Sequence, residues 1–159
     1  MRKLFAELLY KEMAINPGIY LLLADLGYGV FDRIRLDFPD RVIDVGASEQ
    51  LLMGIAIGLA QNGYNVPVVY SITPFLLYRP FEMIRNYINE ESAKVVLVGG
   101  GRDKDYGHLG FSHWACEDKK VMSIFPNIVS FWPESNEQIE ESFKSSIYSN
   151  SPSYINLRK

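Results

Sequence analysis

One carboxylate, Glu49, stands in the run Val45-Gly46-Ala47-Ser48-Glu49-Gln50, where an apolar strand gives way to a helix. Phe75 and Tyr78 follow at a second junction of the same kind. One acid and two aromatic faces can hold a flat heterocycle, the acid by a hydrogen bond at the ring edge and the aromatics by stacking. Each piece also has a plainer reading. An acid in the first turn of a helix favours the helix dipole, and Phe75, Tyr78 and Phe81 at helical spacing can simply be core. The functional reading of Glu49 is a general acid or base. Leu51, Leu52 and Met53 follow it directly, so the acid faces a poorly solvated wall, where a carboxyl holds its proton more tightly. Ile72 and Pro74 make the approach to Phe75 stiff and apolar.

The other chemical groups form weaker patterns. Gly99-Gly100-Gly101 and Gly107 lack the lysine followed by Ser or Thr of a phosphate-binding loop, and no G-x-G-x-x-G enters a helix, so the glycines read as a flexible turn after a strand. Asp103 and Asp105 lack calcium-loop spacing. His108 and His113, the only histidines, share a loop with Ser112, Trp114 and Cys116, too sparse a set for a metal centre. Cys116 beside His113 has no oxyanion-hole pattern to make it a nucleophile. His113 reads either as a polar group at the mouth of an active site or as a loop residue bonded to backbone.

The elements that must position these groups are legible from pattern. The 159 residues, 48% apolar and 22% charged, suffice for one domain, 1–159. A net charge of -3 argues against a nucleic-acid surface. The single cysteine fits a reducing compartment, and no apolar run reaches membrane-spanning length, so a cytoplasmic chain with no membrane partner is expected. Helices are expected over 2–14, around 31–38, over 51–60, 75–89, 117–125 and 137–148, with Ser48 and Ser135 as caps. The short apolar run at 19–23 reads as a strand buried on both faces, and those at 42–45, 66–70, 94–98, 128–132 and 154–157 as further strands. Alternation of the two predicts an α/β fold: three α/β/α layers around a mostly parallel sheet. Ligands of such sheets gather at the carboxyl ends of the strands, where Asp25, Glu49, 72–75 and 99–113 all fall. The 51–60 helix is apolar almost all round and carries Gly54 and Gly58, so it is expected to be buried and to contact a second copy of the chain.

Taken in order, Asp25-Leu26-Gly27, Phe38-Pro39-Asp40-Arg41, Val45-Gly46-Ala47-Ser48-Glu49-Gln50, Met53-Gly54-Ile55-Ala56, Ala60 and Pro67 resemble the pyrimidine-binding domain of transketolases. The likeness continues through Tyr70-Ser71-Ile72-Thr73-Pro74-Phe75-Leu76, Tyr78-Arg79-Pro80-Phe81, Ile84-Arg85, Gly110-Phe111-Ser112-His113, Glu117-Asp118 and Pro126-Asn127-Ile128, roughly residues 3 to 158. The resemblance implies the thiamine-diphosphate-binding fold, in its pyrimidine module. It also implies that Glu49 bonds the ring nitrogen of the cofactor's aminopyrimidine and takes part in its proton transfers, a task suited to a dry site that raises the acid's pKa. Phe75 and Tyr78 match its aromatic pocket, with Ile72 where relatives often have a third aromatic. Asp25 matches an acid near the cofactor, and His113 matches a histidine that contacts the sugar.

The family's diphosphate-and-magnesium motif is absent from this sequence, as is its C-terminal domain. The resemblance therefore implies half of a split transketolase. This chain would hold no metal, would share thiamine diphosphate with a separate diphosphate-binding subunit that holds Mg2+, would dimerise through the helix after Glu49, and would form a heterotetramer acting on sugar phosphates. His108-Leu109-Gly110 stands where relatives carry Glu-Asp-Gly, and Gly99 to Gly101 replace a second substrate histidine, which puts pentulose-phosphate specificity in question. The alternatives are a regulatory or decoy module, a deoxyxylulose-phosphate synthase-like fragment, or an oxo-acid dehydrogenase beta-type fragment.

Overall fold

The computed structural model describes residues 1–159. Its apolar runs form strands β1 (Ile19–Leu23), β2 (Val42–Asp44), β3 (Val66–Ile72), β4 (Val96–Gly100), β5 (Val129–Phe131) and β6 (Ser153–Leu157). They pair in the order β2-β1-β3-β4-β6-β5, every pair parallel. Successive side chains leave a strand on opposite faces. Leu21, Val68, Val96 and Ile155 therefore join one core with helices α1 (Arg2–Ile15), α2 (Asp32–Asp37) and α7 (Asn136–Tyr148). Leu22, Val69, Leu97 and Tyr154 join the other, with α3 (Glu49–Ala60), α4 (Thr73–Tyr78), the helical stretch that follows it, and α6 (Asp118–Met122). The three-layer α/β/α expectation holds. In α1, Phe5, Leu9 and Met13 recur on one face and are buried, and Phe5 meets Phe143 of α7 edge-on at 5.5 Å.

Several local expectations are corrected. Ser48 is the N-cap of α3, but its hydroxyl makes no cap bond. Its own N–H bonds Gly46 O at 2.7 Å, and this tight turn gives it φ -138 and ψ 70, away from the extended geometry that aims a cap oxygen at the first-turn amides. Ser135 does cap α7, accepting from the Gln138 N–H.

The single helix expected over 75–89 is interrupted. Pro80 has no N–H and its ring crowds the preceding turn. α4 stops at Tyr78, a short α5 (Phe81–Met83) restarts, and Ile84–Glu90 continues as a π-helix. Strand β4 runs two residues past its expected end, so Gly99 and Gly100 are strand rather than flexible turn. A Cβ on Gly99 would lie 2.5 Å from Thr73 Oγ1, and one on Gly100 2.5 Å from the Tyr70 hydroxyl. The glycines permit close approach of neighbouring side chains.

Helix α3 is not buried all round. Leu52, Met53, Ala56, Ile57 and Ala60 face the sheet, while Leu51 is 54% exposed and Gly58 opens to solvent.

Asp44, at the end of β2, organises the neighbouring turns. Its Oδ1 accepts from the N–H of Asp25 at 2.8 Å and of Gly46 at 3.2 Å, and its Oδ2 pairs with Arg35 at 2.9 Å. Asp25 has φ 52, a strained conformation for a non-glycine residue, so the bond to Asp44 helps hold it. Burial opposes the charge on Asp44, but the two N–H bonds and Arg35 outweigh it and hold the carboxyl below its ordinary 3.8. The folded value lies below the unfolded one, so this stabilisation is present at neutral pH and is lost as pH falls through the folded value. Asp44→Ala is expected to cost about 1 kcal/mol at neutral pH, reduced by solvent screening. Urea unfolding should show the gap between variant and parent closing as pH falls below the ordinary carboxylate value. A gap that stays constant over that range would contradict the assignment.

Candidate functional site

Four chain segments meet at the carboxyl edge of the sheet: Asp25 after β1, the turn 45–48 after β2, the start of α4 after β3, and the loop after β4. Glu49 opens α3 at the centre of this edge. Its side chain is only 2% exposed. Oε1 accepts from the Ser71 hydroxyl at 3.3 Å and Oε2 from Arg79 Nη1 at 2.6 Å. A hollow of about 560 Å3, lined by Ala47, Ser48, Glu49, Gln50 and Arg79, leads to it.

Phe75 is brought to the same place. The Arg79 guanidinium lies 3.8 Å from its ring centroid, and the His113 imidazole meets it edge-on at 4.8 Å and 69°. His113 Nδ1 is engaged with Ser112 Oγ at 3.0 Å, so Nε2 is the nitrogen available to a ligand. Ile72 is buried at the end of β3, one residue before α4 begins. The remaining two sequence candidates stand apart. Tyr78 is exposed on the side of Glu117 and Asp118. Partial burial, with those acids adding, pushes its hydroxyl above the ordinary value. Asp25 is exposed, tied to Asp44 through its N–H and to the Tyr28 hydroxyl at 2.8 Å through its carboxylate.

Two residues, one in the site and one that braces it, were not singled out from sequence. Arg79 is one. It is the sole basic side chain between Arg41 and Arg85, and a buried acid in that stretch needs a donor; that was the available signal. Asp118 is the other. It is buried with no cation beside it, and its Oδ2 accepts from Trp132 Nε1 at 2.7 Å, Asn156 Nδ2 at 2.8 Å and the Tyr154 hydroxyl at 3.0 Å. Burial, then the charge of Asp118, pushes the Tyr154 hydroxyl well up. Thr73 donates to Gly101 O at 2.6 Å beside this network. The start of α4, the end of β4, β6 and α6 are thereby locked together, and α4 carries Phe75 and ends at its C-cap Arg79.

A buried carboxylate with exchangeable partners, next to an aromatic ring, fits the edge and face of a flat nitrogen heterocycle. These residues thus fit the pyrimidine end of the cofactor expected from sequence. No three His, Cys, Asp or Glu side chains converge in a way that could hold a metal ion. No helix is long and apolar enough to cross a membrane.

Comparison with known proteins gives the following. The sequence profile described as transketolase, pyrimidine binding domain, matches residues 1–159. An apulose-4-phosphate transketolase subunit of Actinobacillus succinogenes is 36% identical over 121 residues, 76% of this chain and 39% of the relative. An uncharacterized 33.6 kDa protein in the fasciation locus of Rhodococcoides fascians is 36% identical over 123 residues, 77% of this chain and 39% of the relative. A solved structure described as a split gene transketolase, inactive beta4 tetramer, superposes with a TM-score of 0.84 at 30% identity, covering 99% of this chain and 50% of that one. This chain therefore spans half or less of each of these relatives.

Proposed function

The chain belongs to the family of transketolase pyrimidine-binding domains, and from that premise we propose that it is the pyrimidine-binding half of a split, thiamine-diphosphate-dependent transketolase-like enzyme. The observation that carries this reading is Glu49: a buried carboxylate at the carboxyl edge of a parallel sheet, with Phe75 beside it and His113 beyond. When bound, the cofactor supplies an electron sink for making and breaking a carbon–carbon bond next to a carbonyl, here two-carbon ketol transfer between sugar phosphates. Glu49 would hold the ring nitrogen of the bound cofactor through a carboxylate oxygen and could carry a proton at that oxygen. Phe75 would supply a ring face, Ile72 an apolar wall and His113 Nε2 a hydrogen bond to the sugar, while Tyr78 and Asp25, exposed and apart from this group, would add a second ring face and a polar wall only at the rim of the site. Burial of Glu49 strengthens the bond that it makes.

A separate chain would hold the diphosphate and Mg2+. The uncovered apolar strip of α3, with Leu51 and Gly58, suits packing against a second copy, and the pair of copies would join two partner chains in a heterotetramer. Two relatives support a split arrangement, one described as a transketolase subunit and one as a split-gene transketolase in an inactive tetramer.

The expected result is that the purified chain with thiamine diphosphate, Mg2+, a ketose phosphate donor and an aldose phosphate acceptor shows no transfer. Transfer should begin when a chain carrying the diphosphate-binding domain is added. Turnover by the purified chain without any partner would contradict the proposed division of labour.

A further inference from the structure

The Glu49 site is already filled by a residue of the same chain. Arg79 places its guanidinium 3.8 Å from the Phe75 ring centroid and donates Nη1–H to Glu49 Oε2 at 2.6 Å. The other carboxylate oxygen is taken by Ser71. A guanidinium is flat, carries N–H donors at its edge and stacks on aromatic faces. Any ring that is to lie on this face of Phe75 and bond Glu49 must contend with it.

We infer that Arg79 is an internal stand-in for the cofactor's pyrimidine, holding the site closed in the free chain and leaving when the ring docks. This rests on the function proposed above. Two features of the fold let it leave. The Arg79 side chain is 45% exposed, against 2% for Glu49, so it already borders solvent and can withdraw outward without crossing the core. Its backbone lies at the break before Pro80, whose φ -97 and ψ 27 are not helical, so it is not locked inside a continuous helix. In the closed arrangement Glu49 is never a buried charge without a partner. Docking exchanges one planar donor for another. The contact between Arg79 and Glu49 therefore competes with the ring and lowers its apparent affinity.

The test uses thiamine, which lacks the diphosphate and so reports on the ring end alone. Its binding to the chain is followed by NMR in the parent, Arg79→Ala and Arg79→Lys. Arg79→Ala should bind about two- to fivefold more tightly than the parent, the range expected when a half-exposed ion pair is removed. Arg79→Lys keeps the charge but loses the flat fork, and should fall between the two. In the parent, the Arg79 Nε–H resonance should shift on titration as the guanidinium is released. Equal, weaker or absent binding by both variants overturns the inference, as does an Arg79 resonance that stays fixed while thiamine binds. Loss of the enzymatic reading is recognised separately: it leaves these affinities as stated and shows as a lack of ketol transfer in the complex with the partner chain.

Discussion

Replacing Glu49 by glutamine is expected to reduce kcat of the assembled enzyme about a thousandfold while leaving the chain folded. The two outcomes have different causes. A positioned acid–base group contributes about a hundred- to ten-thousandfold, and glutamine has the same length but no proton to exchange with the ring nitrogen. The fold is insensitive for a local reason. Glutamine can still accept one hydrogen bond from Ser71 or Arg79, and the Arg79 charge left over is 45% exposed, so no cation is stranded out of water. Loss of stability should stay within about 1 kcal/mol. Steady-state transfer assays in the complex, beside urea unfolding of the isolated chain, separate the two. Turnover near the parent value would remove Glu49 from the chemistry, and a grossly unstable variant would mean that its role is structural.

The second large effect is one of stability and lies away from the reacting groups. Asp118→Ala should destabilise the chain by about 3 kcal/mol. Three donors converge on one buried oxygen, and one of them belongs to Tyr154, which has no solvent exposure. Without the carboxylate, none of them finds water readily. Asp118→Asn retains an acceptor oxygen, although its amide must point donors at donors, so its loss should be smaller, about 1–2 kcal/mol. Equilibrium urea unfolding measures both. A loss below about 1 kcal/mol for alanine would show that the network relaxes or hydrates on truncation.

The layered sheet was legible in the sequence because it rests on long-standing regularities: apolar runs of strand length, amphipathic helices between them, and residues such as Phe5, Leu9 and Met13 on one stripe. The failures fall where geometry beyond periodicity decides. Ser48 is in the capping position, but a turn set by Gly46 turns it from the amides it would cap. Pro80 sits inside an apolar helical pattern, and the pattern has no means of saying that the helix restarts as a π-helix. Gly99 and Gly100 read as a flexible turn because glycine commonly makes one; what requires them is the proximity of Thr73 and Tyr70, known only once the strands are assembled. At the candidate site the acid, an aromatic and the histidine were visible and do meet. Arg79 and Asp118 were not, because each matters through a partner 30 or 38 positions away. Those distances in sequence leave no local trace.

The strand order has a consequence for synthesis. β5 touches the sheet only through β6, which comes later in the chain and lies between it and β4. A ribosome that has released residues 129–131 has released a strand with nowhere to pair, and it must wait for residues 153–157. Asn156, in that late strand, also donates to the Asp118 carboxylate. Until then β4 shows an unpaired edge ending in Gly99 and Gly100, an open template for association with another chain. The nascent protein therefore passes through a stage in which four strands are paired and Asp118 lacks its bonds from Tyr154 and Asn156. That interval, rather than any property of the finished molecule, is when a chaperone or a co-expressed partner chain would do most for yield.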